Sequence, residues 1–402
     1  MDKLDYVKAL RNFKNENTNK HPTTKKEASV HKYKFWNSQP VSKLGESNAL
    51  FKSIDSDLTA TQEQHKLNKD FYWKKFDRSD INNISNFLKK NYSTDNHNEF
   101  RLTYDKESLE HLLFDFKESL NIGVCVKKND LIVGFISSRI IKMQTGQKQN
   151  DFSYINFLCV HSKLRGKRLA PVLIKEITRI IVQNGIDKAI YSSHTYLPTP
   201  SISTSSFHRP LNTKILLDTG FTNIPDKVTH DQMEKAFTLN DNFRYKYDKM
   251  KKEDIPICLQ ILTEYLDRFT VHQIWNEKEL ETELLNSFVK SYVIRNEDGE
   301  IEDFISYYIV QCDSLHFKGT KINIANLFYF TDSKNRIYNL LGDTLKLAKK
   351  DGCDIFSTNN IMGIRDILDN LLFYEVGGNL QYYFYNWSSP TLKPEQIGFT
   401  IY

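Results

Sequence analysis

The run Ile155-Asn156-Phe157-Leu158-Cys159-Val160-His161-Ser162-Lys163-Leu164-Arg165-Gly166-Lys167-Arg168-Leu169-Ala170-Pro171-Val172-Leu173-Ile174 joins an apolar strand to a basic turn and then to an amphipathic helix. The N–H groups of a helix's first turn have no partner within the helix. With the helix dipole and with Arg165, Lys167 and Arg168 beside them, such groups form a cradle for phosphate. A solvated basic cap on an ordinary helix leaves the same pattern, and spacing alone does not separate the two. Cys159 reads as a buried strand residue.

The elements that must position this turn alternate between strand and helix from residue 80 onward. Ser79-Asp80 can cap a helix running to Lys90, and Lys106 to Phe114 is a second helical stretch. Ile122 to Val126 and Leu131 to Ile136 predict a hairpin, Tyr154 to Val160 a further strand. Leu169, Val172, Leu173, Ile177, Ile180 and Ile181 share one helix face, which Asn184-Gly185 ends before a strand at Lys188 to Ser192. The order then recurs. Asp254-Ile255-Pro256 opens a helix, Asn296 to Gly299 turns a hairpin, Asn335 to Lys350 is helical, and Asp351-Gly352 precedes a strand at Cys353 to Ser357. The stop signals and the hairpin turns each repeat after about 170 residues, which reads as duplication of an α/β unit with a boundary near 210–230. Upstream, residues 1–30 read as a short helix (Leu4 to Phe13) and a mobile arm. Lys32 to Leu44 reads as an extended aromatic segment, and 45–70 as polar loop.

The 402 residues are enough for two or three domains. The net charge of +5 is too small to mark a nucleic-acid protein. The 26 Phe, 21 Tyr and 4 Trp exclude disorder and suit a large apolar groove. Five cysteines (Cys125, Cys159, Cys258, Cys312, Cys353) form no CxxC pair, so neither a disulfide framework nor a metal site is expected, and a reducing, cytoplasmic setting is. No apolar run reaches membrane-spanning length, and the polar N-terminus is unlike a signal or transit peptide.

Strand, loop and helix of this kind hold the coenzyme A pyrophosphate in acyltransferases of the GNAT superfamily, although the glycine usual in that loop is Arg168 here. The stretch more specifically resembles the signature of the glycylpeptide N-tetradecanoyltransferases (N-myristoyltransferases). Three further blocks agree, in family order: Tyr33-Lys34-Phe35-Trp36-Asn37-Ser38-Gln39-Pro40-Val41-Ser42-Lys43-Leu44-Gly45-Glu46, Phe207-His208-Arg209-Pro210-Leu211-Asn212, and Gly378-Asn379-Leu380-Gln381-Tyr382-Tyr383-Phe384-Tyr385-Asn386-Trp387. The resemblance covers roughly residues 30–402. It implies an α/β (α+β) fold of two tandem GNAT-like halves about a pseudo-twofold axis, with a saddle-shaped mixed sheet flanked by helices. The implied division is a mobile arm at 1–30, a myristoyl-CoA-binding half at 31–215, and a half at 216–402 carrying the peptide groove and the catalytic C-terminus.

The roles that follow are those the resemblance implies. Transfer of myristate to an N-terminal glycine proceeds by direct attack, without an acyl-enzyme. The backbone amides of Phe157 and Leu158 form the oxyanion hole, the main-chain carboxylate of Tyr402 is the general base, and Ser192 helps position the amine, with Asn156 in the same neighbourhood. Myristoyl-CoA, an acyl-donor substrate and not a resident cofactor, meets Tyr33, Lys34, Phe35, Trp36, Leu158, Cys159, Val160, Arg165, Gly166, Lys167, Arg168, Leu169 and Ala170. The acceptor peptide meets Tyr92, Asp95, Phe100, Arg101, His208, Asn212, Tyr329, Gly378, Asn379 and Leu380. No metal and no nucleic acid is expected, and the chain is expected to be a monomer. Ribosome association is left open, because the Lys-rich extension common in the family is short here.

Several positions depart from the family. Gly166 replaces a Ser, and His194 stands where a Gly is usual. Thr94, Asn96 and His97 flank Asp95 in place of acids, and Gly377 replaces another acid; these losses predict weaker selection for a basic residue in the acceptor. Ser206 and Phe207 replace larger aromatic groups. A general GNAT acetyltransferase and a non-catalytic acyl-CoA-binding protein of the same fold are the competing readings. Chain-length selectivity and the effect of lengthening the C-terminus discriminate them.

Overall fold

Five strands and one helix of the first half have counterparts in the second, and together they build most of a 15-stranded sheet. A computed structural model describes residues 21–402 apart from 47, 60–62, 93–98, 225–227 and 318. The Leu4 to Phe13 helix and Asp95 lie outside the described residues.

The first set is β1 (Leu120–Val126), β2 (Ile132–Thr145), β3 (Lys148–Val160), α1 (Leu169–Gln183), β4 (Ala189–Ser193) and β5 (Ile202–Pro210). The second is β6 (Val289–Arg295), β7 (Ile301–Ser314), β8 (Lys321–Phe330), α2 (Ile337–Lys350), β9 (Ile355–Asn359) and β10 (Tyr374–Tyr385). Their order across the sheet is β1-β2-β3-β4-β10-β5-β9-β8-β7-β6. Read from the other end, the order is the same with every strand exchanged for its counterpart. Each half therefore lends its last strand to the other. The parallel pairs β3–β4 and β8–β9 are each joined through a helix, and the remaining pairs in this series are antiparallel.

Both helix stops predicted from sequence are Schellman motifs, the geometry a left-handed glycine permits. In α1 the N–H groups of Gly185 and Ile186 donate to the Val182 and Ile181 carbonyls, with Gly185 at φ +87°. In α2 those of Gly352 and Cys353 donate to Lys349 and Ala348, with Gly352 at φ +79°. Leu173, Ile177 and Ile181 of α1 are buried against β1 and β2 at helical spacing. Gly134 lets α1 sit this close, since a Cβ there would come within 3.0 Å of Leu173 and 3.2 Å of Leu169.

Three sequence expectations change. The hairpin strands β2 and β3 run far beyond the predicted Ile136 and Tyr154 limits, because the polar stretch from Lys142 to Asn150 continues the ladder, pairing Met143 with Asn150 and Thr145 with Lys148. Lys32 to Leu44 is not extended. It closes into a 3₁₀ turn at Trp36–Ser38, and the Lys43 ammonium gathers the Trp36 (3.1 Å) and Gln39 carbonyls. Within the arm, Lys25–Val30 is a helix with a Thr24–Glu27 capping box. Among the described residues, no helix is long and apolar enough to cross a membrane.

Candidate active site

Strand β3 holds a β-bulge where the signature begins. Phe135 and Ser137 of β2, two apart, face Cys159 and Asn156, three apart, so one residue is extra. Phe157 takes up the distortion at φ +51°. Its ring is buried against Tyr92 (5.7 Å) and Tyr104 (5.2 Å), while Leu158, near the end of β3, is left 39% exposed. Strands β3 and β4 pair only at Ser153–Ala189 and Tyr154–Ile190. Beyond Tyr154 their ladder ends, which leaves main-chain groups of both unpaired with each other. The Phe157 N–H is not idle: it donates to Oδ1 of Asn156 at 2.7 Å. Burial pushes the Cys159 thiol up to about 12, so it stays protonated and unsuited to nucleophilic work.

The basic turn ends at the start of α1, where no side chain caps the helix. Arg168 is its N-cap, at φ +63°. The position thus requires the left-handed backbone that glycine supplies most easily, which is why a glycine is usual there. Arg165 donates to the Val160 carbonyl (3.4 Å) and to that of Asn91, which braces the turn. Gly166, at φ +77°, has open space around it, so the Ser usual in the family is missing without crowding as the cause. The counterpart turn before α2 is filled by carboxylates, Asp332 of the turn itself and Asp303 of β7. Asp332 accepts from the Arg336 N–H (2.6 Å), and Asp303 from the Ser333 N–H (2.9 Å) and the Arg336 guanidinium (2.8 Å). The basic residues of this second turn, Lys334 and Arg336, are paired with Glu302 and Asp303.

The N-terminal aromatic block lies over β4. Trp36 stacks on Tyr191 (5.6 Å, 10°), which stacks on Tyr383 (5.2 Å, 16°). Tyr33 donates to the Tyr196 carbonyl at 2.5 Å, Phe35 meets Trp36 edge-on, and Lys34 is exposed. Ser192 pairs with Tyr382 of β10, one residue from this stack.

The C-terminal tail is the other converging segment. Ile397–Gly398 adds a parallel strand to Val271–Ile274, which itself pairs with β2. A Cβ at Gly398 would meet Phe269 at 2.8 Å and Leu266 at 3.0 Å, so only glycine admits the chain there. Tyrosine hydroxyls then hold the last residues. Tyr382 donates to the Phe399 carbonyl (3.5 Å) and Tyr308 to the Ile401 carbonyl (3.1 Å), and the Tyr402 N–H donates to Tyr154 of β3 (3.2 Å). The Tyr402 ring packs on Tyr308 (4.8 Å), Phe328 (5.0 Å) and Phe288 (5.8 Å). The terminus is thereby tied to the bulged strand, three residues before Phe157.

The remaining expected groove residues divide. Tyr92 touches Phe157 directly, and Arg101 donates to the Lys89 carbonyl (3.0 Å). Phe100 packs on Phe221 (5.0 Å), which stacks on His208 (6.1 Å), whose other neighbour is Tyr374 (6.2 Å). Burial pushes the His208 imidazole down to about 4, so it is neutral near pH 7. Gly378 (φ +98°) lies within an irregular step of the β10–β5 ladder, and Asn379 and Leu380 resume the pairing after it. Tyr329 is buried against Trp275 (5.2 Å). Asn212 is committed elsewhere: it caps the helix Thr213–Asp218 and donates to Asp354 at 3.0 Å, beside a separate polar cavity.

Residues that sequence reasoning missed stand beneath the terminus. Arg139 and Glu283 form a bidentate ion pair (2.9 and 3.0 Å), 8% and 1% exposed at the side chain. The guanidinium lies 5.4 Å from the Tyr154 ring and 5.9 Å from that of Tyr402. The partners are 144 residues apart and belong to no motif, so nothing in the sequence joined them.

The fold that carries the bulged strand, the basic helix start and the anchored terminus matches that of known acyltransferases. The family model for the N-terminal domain of myristoyl-CoA:protein N-myristoyltransferase matches residues 53–204, and the one for its C-terminal domain matches 218–399. The chain is 34% identical over 386 residues to a glycylpeptide N-tetradecanoyltransferase of Plasmodium falciparum, covering 92% of this chain and 93% of that one. It is 33% identical to glycylpeptide N-tetradecanoyltransferase 2 of Danio rerio, covering 93% and 78%. A crystal structure of Saccharomyces cerevisiae N-myristoyltransferase with bound myristoyl-CoA and inhibitors superposes with a TM-score of 0.86 at 30% identity, covering 92% and 93%. This chain belongs to the myristoyl-CoA:protein N-myristoyltransferase family.

Proposed function

We propose that the chain transfers the tetradecanoyl group of myristoyl-CoA to the α-amine of an N-terminal glycine. The observation that supports this reading is the tie between the Tyr402 N–H and Tyr154, three residues before Phe157 on the bulged strand. The first half, 31–215, takes the donor. Its phosphates lie at the start of α1 with Arg165, Lys167 and Arg168, and Trp36 covers the site. The second half, 216–402, supplies much of the acceptor groove and the base.

The thioester oxygen faces the N–H groups of Phe157 and Leu158, where charge develops in the tetrahedral intermediate. The Asn156 carboxamide holds the Phe157 N–H in the meantime and gives way to that oxygen. The incoming glycine carries an ammonium of pKa near 8, and only its neutral form attacks. The Tyr402 carboxylate accepts one proton from it. The freed lone pair forms the C–N bond, and as the intermediate collapses the C–S bond breaks and the CoA thiolate leaves with the second proton, which the now cationic nitrogen gives up to become the amide.

The test is incubation with myristoyl-CoA and a Gly-initiated peptide, followed by mass analysis. One tetradecanoyl increment on the α-amine is expected, with acetyl-CoA a poor donor. Transfer from acetyl-CoA at a comparable rate would favour a general acetyltransferase, and binding without transfer would favour a carrier.

A further inference from the structure

The Tyr154 hydroxyl oxygen links the terminus to the bulge. It accepts from the Tyr402 N–H (3.2 Å) and from Nδ2 of Asn156 (3.4 Å). Oδ1 of Asn156 in turn accepts from the Phe157 N–H (2.7 Å). A phenol oxygen has two lone pairs to offer, and here one goes to the base-bearing residue and the other to the side chain that marks the oxyanion position.

We propose that Tyr154 is a positioning residue of the transfer, holding the main chain of Tyr402 in register with the bulged Phe157 amide through Asn156. This rests on the reading above, in which the terminal carboxylate is the base. A terminal residue is ordinarily the first to fray. The anchored N–H is two bonds from the carboxylate carbon, so fixing it leaves little freedom for the carboxylate beyond rotation of the last bonds. The phenol is itself buried and packed on two sides. Its ring meets Phe399 edge-on (5.8 Å, 86°) and the Arg139 guanidinium (5.4 Å), which Glu283 of the second half holds at two points. The same guanidinium faces the Tyr402 ring, so one ion pair sets both tyrosines. Burial pushes the Tyr154 phenol up to about 12, which keeps it neutral beside a carboxylate.

Tyr154→Phe removes the oxygen and keeps the ring. Near neutral pH its kcat should fall about tenfold, the scale of effect that small misplacement of a reacting group produces. The KM for myristoyl-CoA and the melting temperature should hold. Around pH 9, where most of the acceptor amine is already neutral, the deficit should shrink towards about twofold. A loss of packing alone would show no such pH dependence. The second comparison is at the terminus: Tyr402→Ala and Tyr402→Pro both discard the ring, but only proline lacks the N–H. Proline should be slower than alanine by the Tyr154→Phe factor, and the difference should vanish when Phe occupies position 154. A wild-type kcat for Tyr154→Phe, a deficit equal at both pH values, or equal rates for the two Tyr402 variants would overturn the proposal. If Tyr154→Phe melts early, the Tyr402 pair decides alone. A parent chain that transfers nothing would instead sink the functional reading.

Discussion

Arg168 shows how one residue can serve two opposed demands. Its left-handed backbone costs about 1–2 kcal/mol for a residue with a Cβ, yet its charge stands at the positive helix start. Arg168→Gly should therefore raise stability by about 1 kcal/mol while weakening myristoyl-CoA binding. Melting and affinity, measured on the same variant, should move in opposite senses. His208 carries a second residue-scale prediction. Its folded pKa of about 4 lies below the ordinary 6.5 because burial disfavours the charged ring. The unfolded chain thus binds the extra proton between those values, and stability is lost as pH falls through that window. His208→Gln should flatten the melting-temperature profile from pH 6.5 to 4; an unchanged slope would contradict the assignment. The signature residues were legible because their types encode a charge pattern. The Phe157 bulge was not, since Phe-Leu in an apolar run carries no turn signal and only the ladder register reveals the extra residue.

At the scale of elements, the tail matters more than its length suggests. Two residues of strand, one obligatory glycine and three tyrosine hydroxyls deliver the terminus. Gly398→Ala forces a Cβ to 2.8 Å from Phe269. It should lower kcat by about an order of magnitude with myristoyl-CoA affinity retained, as steady-state rates and direct binding would show; unaltered kcat would mean the tail is not fixed by this contact. The helix stops were readable in the sequence because Asn184-Gly185 and Asp351-Gly352 are chemically specific to the Schellman turn. The long hairpin strands were not, because the polar residues Lys142 to Asn150 resemble loop by composition although they pair as strand.

The whole molecule is a duplication in which each half lends its final strand to the other. The repeat of about 170 residues was visible in stop and turn signals, but the strand exchange was not, since pairing across halves leaves no periodic trace. Duplication raises the question of two donor sites. The second cradle is filled by Asp303 and Asp332, which take up the N–H groups and the guanidinium of Arg336. Calorimetry should accordingly give one myristoyl-CoA per chain, and a stoichiometry of two would show that the second turn can still accept a phosphate.

Most directly at issue is whether the polypeptide's own last carboxylate does the proton transfer. The decisive measurement is single-turnover transfer to a Gly-initiated peptide, comparing the chain ending at Tyr402 with one carrying a single additional alanine, each saturated with myristoyl-CoA. Equal myristoyl-CoA affinity is expected, with a transfer rate lower by about a hundredfold or more in the lengthened chain, the contribution of a placed general base. Equal transfer rates in the two chains would contradict that role.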